Sequence, residues 1–118
     1  MSSAAKSVYY FGFYLLLVGV ILTVVPNFLL NTFQIPETNE VWIRVVGVLV
    51  FSLGIYYVVM AQTNNTLFFS ISIYIRASIL LWFTVFALIG WGSPMLIMFG
   101  VVDVIGALWT YLELKKQK

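Results

Sequence analysis

Val8-Tyr9-Tyr10-Phe11-Gly12-Phe13-Tyr14-Leu15-Leu16-Leu17-Val18-Gly19-Val20-Ile21-Leu22-Thr23-Val24-Val25 runs without a single charge. A helix crosses a hydrocarbon core of about 30 Å with roughly 20 such residues, so the stretch predicts a membrane-spanning helix. It follows a short segment bearing Lys6. A cleaved signal peptide also starts basic, but its apolar region is about 7–15 residues long and ends at a small-residue site. Here the run is longer and meets Pro26-Asn27, which predicts a retained first span.

The rest of the chain repeats the pattern. Of 118 residues, 63% are hydrophobic and only 8% charged, whereas a soluble domain carries about a quarter of its residues charged. Further apolar runs cover about 41–61, 67–89 and 95–114. These, with the first span at about 8–25, fill residues 1–118 as one transmembrane domain and leave no room for a second. The predicted fold is all-α: an integral membrane four-helix bundle. The net charge of +2 is scattered and offers no basic face for nucleic acid. There is no Cys and no His, so thiolate chemistry, the usual haem ligand and the base of the familiar triads are missing. No metal site is predicted.

The connections have their own chemistry. Pro26 can open a short helix at its first turn and Pro36 can end it, which predicts a brief interfacial helix between spans 1 and 2. Thr38 or Asn39 is a candidate N-cap for span two, with Glu40 in its first turn. Gln62-Thr63-Asn64-Asn65-Thr66 reads as a tight turn with Thr66 capping span three. Gly90-Trp91-Gly92-Ser93-Pro94 is a second turn in which Ser93 can cap and Pro94 suits the first helical position. Lys6 and the terminal lysines fall on one side of a four-span chain, while the first loop carries Glu37 and Glu40 and no cation. The positive-inside rule then predicts both termini in the cytoplasm.

Three ionisable residues interrupt the spans: Arg44, Arg76 and Asp103. Each costs roughly 2.5–3.5 kcal/mol on insertion scales, which is why such residues mark structural or functional sites. At a rise of 1.5 Å per residue, Arg76 lies roughly 14 Å from the cytoplasmic end of its span and Asp103 roughly 12 Å from the opposite face. That predicts a common level and an ion pair between Asp103 and Arg76, Arg44 or both. Arg44 lies only about 5 Å from the outer boundary and can either snorkel outward or reach toward Asp103. Glu40, four residues before Arg44, is placed for a helical ion pair. Arg44, Arg76, Asp103 and Glu40 are thus the predicted polar seam, either fixing register or holding a ligand.

Small residues argue for close packing. Gly12 and Gly19 share a face of span one, and Gly47 and Gly54 continue the Arg44 face of span two. Gly100, Asp103, Gly106 or Ala107, and Thr110 form a stripe on span four. Such residues let helices approach where lipid supplies no hydrophobic drive.

Arg44-Val45-Val46-Gly47, Leu53-Gly54-Ile55-Tyr56-Tyr57 and Gly100-Val101-Val102-Asp103-Val104-Ile105-Gly106-Ala107, with the Pro26-Asn27-Phe28 to Ile35-Pro36 segment, resemble small bacterial four-span proteins of the DoxX-like group. The resemblance implies a bacterial inner-membrane bundle associated with quinone or redox machinery, and it transfers no catalytic residue. Two arginines facing one aspartate suggest a site for a lipid headgroup, an anionic metabolite or a quinone carbonyl. The leading expectation is a non-enzymatic accessory subunit, in a larger complex or homo-oligomer, holding a lipid or quinone. The alternative is an oligomeric small-molecule or ion transporter using the same charges. An enzyme would rest on Asp103 with tyrosines, which no spacing supports.

Overall fold

In hydrocarbon a backbone N–H or C=O finds no water, so an apolar segment satisfies itself by coiling. The computed structural model, which describes residues 1–117, shows five helices and, among the described residues, no strand. They are α1 (Ser3–Val24), α2 (Pro26–Thr32), α3 (Trp42–Gln62), α4 (Thr66–Leu88) and α5 (Leu96–Lys116). Four of them, α1, α3, α4 and α5, are long and apolar enough to cross a membrane.

The boundaries follow local chemistry, with some corrections. The α1 helix begins earlier than the apolar run because Ser2 caps it, its Oγ accepting from the Ala5 N–H at 3.1 Å. Pro26 starts α2 at its first turn, and the helix stops at Thr32, ahead of Pro36, where Gln34 adopts a positive φ of 58°. Neither Thr38 nor Asn39 caps α3: its N-cap is Val41, without a side-chain bond, and Glu40 lies before the helix. The cap of α4 is Asn65 rather than Thr66, its Oδ1 accepting from the Phe68 N–H at 3.0 Å. Ser93 caps the turn that leads into α5, accepting from the Met95 N–H, so the helix proper begins at Leu96 rather than at Pro94.

Packing makes two antiparallel pairs, α1 with α3 and α4 with α5, joined chiefly through α1 and α5. The first pair is held by reciprocal glycines. A Cβ on Gly19 would lie 2.6 Å from the Phe51 nitrogen, and one on Gly47 2.7 Å from the Thr23 nitrogen. Gly12 faces Tyr57 and Val58, and Gly54 faces Leu16 and the Gly12 carbonyl. These four positions put backbone against backbone, a contact any side chain would prevent. In the second pair Gly100 lies against Leu80, where a Cβ would stand 2.8 Å from its Cα.

One end of the bundle gathers the N-terminus, the α3–α4 turn and the close of α5. There the Ser2 N–H donates to Asn64 Oδ1 at 3.1 Å and Tyr10 stacks on Trp109. The buried apolar core, Ala4, Ala5, Val8, Phe11, Tyr57, Ala61 and Phe69, also sits toward this end. At the other end Phe33, the residue after α2, meets Phe99 of α5 with ring centroids 4.7 Å apart. The bundle is therefore solid in one half and hollow in the other.

Candidate functional site

Arg76 is the largest fully buried side chain, only 2% exposed, and it organises the solid half. Its Nε donates to the Ser72 carbonyl at 3.2 Å, and Nη2 donates to Ser72 Oγ and Thr110 Oγ1, each at 3.0 Å. The guanidinium carbon lies 4.8 Å from the Phe11 ring centroid and 5.5 Å from that of Tyr57. A desolvated cation on an aromatic face is worth about 2 kcal/mol. Thr110 Oγ1 is in turn 2.6 Å from Ser7 Oγ, one hydroxyl donating to the other. One cation thus clasps all four long helices: Ser7 and Phe11 from α1, Tyr57 from α3, Ser72 from α4 and Thr110 from α5.

No carboxylate takes part in this clasp. The expected pairing of Asp103 with Arg76 or Arg44 is not formed; among the described residues the one ion pair is Lys116 with Glu113, at 3.5 Å. The reason is side-chain direction. Leu80 lies against Gly100, which in this antiparallel pair sets the Arg76 backbone close to the level of Asp103. The side chain, however, runs back along α4 to Ser72 and meets Thr110 and Gly106, as long helical side chains do, so the guanidinium ends about one helical turn, roughly 5 Å, from Asp103. Span lengths give the level of a Cα and not that of its guanidinium. The guanidinium is left with Nη1 buried and without a partner, against Gly106, where a Cβ would stand 3.2 Å away.

Arg44 has a different task. Its Nη1 donates to the carbonyls of Thr23 at 2.5 Å and Val24 at 3.0 Å, the last turn of α1. Pro26 has no N–H, so the break between α1 and α2 leaves carbonyls that continued helix would have satisfied. A cation there also meets the negative end of the helix dipole. Glu40 is exposed and makes no ion pair with Arg44; its own N–H donates to Thr38 Oγ1. The four residues of the predicted seam therefore occupy separate places.

Asp103 stands in the hollow half. A cavity of about 210 Å³ opens there between all five helices, lined among others by Leu22, Leu30, Val50, Phe83, Phe99 and Asp103. Its wall is hydrocarbon and aromatic ring throughout, except for the Asp103 carboxyl and the Tyr14 hydroxyl. The register that sets Ser7 beside Thr110 and Phe11 beside Gly106 continues, one turn on, to put Tyr14 level with Asp103. Apolar lining with a few convergent polar groups is the usual make-up of a small-molecule site. Gly12, Gly19, Gly47, Gly54 and Gly100 do not line the cavity; they set how closely the helices around it pack.

Ser7, Phe11, Tyr57 and Tyr14 were not legible as site residues. Ser7 sits before the first apolar run, and aromatic residues are too abundant here for any one to stand out. Comparison with known proteins found no relative: no family model, no curated protein and no solved structure matches the chain.

Proposed function

We propose that this chain is a multi-pass protein of the bacterial inner membrane, with both termini cytoplasmic, that acts without catalysis as an accessory subunit holding a lipid- or quinone-type molecule. The observation that carries the reading is the apolar cavity reached by Asp103 in the hollow half. The apolar exterior supports the membrane setting: only 11% of the residues in the most apolar stretch of α4, and 17% of those in α3, are buried within the protein. Such surface needs lipid or a partner helix around it. In this reading α2 lies in the outer interface over the cavity mouth. The likeness of the Arg44-Val45-Val46-Gly47 and Gly100-to-Ala107 stretches to DoxX-like proteins agrees with it.

Native mass spectrometry of gently extracted protein tests the ligand. Wild type is expected to carry an apolar small molecule, and Val50→Phe, which places a ring in the cavity, to lose it. A wild-type chain that carries none, and retains none when lipids and quinones are added back, refutes the reading. Orientation is tested by single cysteines, which the cysteine-free chain allows. In intact cells Glu37→Cys should react with an impermeant maleimide and Lys6→Cys should not; the reverse pattern refutes the cytoplasmic termini.

A further inference from the structure

The chemistry of the cavity narrows what it can hold, granted the ligand-holding reading just proposed. Both arginines that might have drawn an anion are engaged elsewhere, Arg44 on the α1 carbonyls and Arg76 in its clasp. No cation lines the cavity, and its one carboxyl group is that of Asp103. A phosphate or carboxylate head would be repelled by Asp103 and would find no cation in the cavity wall to pair with. An ammonium head would meet a site already balanced, because the Arg76 guanidinium lies about one helical turn from Asp103. A neutral hydrogen-bond donor remains.

Size and shape add to this. The cavity, at about 210 Å³, exceeds the engineered cavity of about 150 Å³ that takes up benzene, so it admits a substituted ring. A second cavity of about 230 Å³, apolar but for Tyr14, lies along α1 and α5 beneath α2 and shares Tyr14, Val18, Leu29 and Phe99 with the first.

We propose that the two cavities form one site for a neutral, apolar molecule ending in a hydroxyl, whose O–H donates to the Asp103 carboxylate while its oxygen accepts from the Tyr14 O–H. The ring or chain next to the hydroxyl packs on Phe83 and Phe99, and the remainder follows the α1–α5 seam under α2. Carbonyl-only molecules of the same shape bind less well, because they offer the carboxylate no proton.

The test uses the full chain in lipid nanodiscs, empty nanodiscs as baseline, and four probes: 4-octylphenol, its methyl ether, octyl phosphate and octylammonium. Wild type is expected to bind the phenol about tenfold or more tighter than the ether, the scale of a hydrogen bond to a charged group. In Asp103→Leu that ratio should fall toward one while ether binding persists, and in Tyr14→Phe it should fall about two- to tenfold. Equal binding of phenol and ether to wild type, a comparison that needs no variant to fold, overturns the inference. So does phosphate or ammonium binding as tightly as the phenol. If none of the four exceeds the empty nanodiscs, the ligand-holding reading itself fails.

Discussion

Adding one methyl group at Gly19 tests the architecture that shapes the cavity. The Cβ of Gly19→Ala would lie 2.6 Å from the Phe51 nitrogen and 2.7 Å from its Cα and Cβ. Against the 3.4 Å where ordinary contact begins, the shortfall is about 0.8 Å. Two of the three opposing atoms are backbone, so no rotamer change relieves the clash and α1 must move away from α3. Overpacking of this kind costs about 1–3 kcal/mol, and rigid opposing atoms put Gly19 near the upper end. Replacing Gly by Ala within a helix returns about 1 kcal/mol of propensity. The expected net loss is therefore about 1–2 kcal/mol, read as a lowered midpoint in an SDS unfolding titration followed by far-UV circular dichroism. Val20→Ala, on the outward face of the same turn, should shift the midpoint by no more than about 0.5 kcal/mol. If Gly19→Ala is as stable as wild type or more so, the backbones do not meet there and the α1–α3 register described above is wrong.

Three further outcomes are expected. Thr110→Val keeps the shape but removes the oxygen shared by Arg76 and Ser7, and should cost about 1–3 kcal/mol in the same titration; an unchanged midpoint would mean that the clasp is not formed. Arg44→Gln should lose about 0.3–1 kcal/mol of helix-end stabilisation, and its effect should add to that of Asp103→Asn, since the two share no partner. Strong non-additivity in that double-mutant cycle would reinstate an Arg44–Asp103 pair. Asn65→Ala should cost about 1 kcal/mol through loss of the α4 cap, while Thr66→Ala should be nearly neutral; the opposite ranking would move the cap to Thr66.

The division of labour between Arg76 and Asp103 bears on what the molecule can do. A buried cation held by the Ser72 carbonyl, two hydroxyls and two aromatic faces ties four helices together in one half and leaves the acid in the other without an ion-pair partner. Had the two paired, the cavity would have kept only the Tyr14 hydroxyl as a polar feature. Nη1 stays without a partner because it faces Gly106, a residue with no side chain to offer.

Composition and run length were enough to read four long apolar helices and a short one opened by Pro26, since the cost of unsatisfied backbone in hydrocarbon leaves an uncharged run of this length few alternatives. The small-residue faces of α1 and α3 were legible too, because seven residues separate Gly12 from Gly19 and Gly47 from Gly54, which returns each pair to the same side of its helix. Which groups meet across helices was not. That Arg76 reaches Thr110 instead of Asp103, that Arg44 closes the end of α1, and that Ser7 and Tyr14 matter at all depend on inter-helix register and on the direction each long side chain takes. One turn of axial offset exchanges every such partner while leaving each helix's own pattern unchanged, so only the packed bundle decides them.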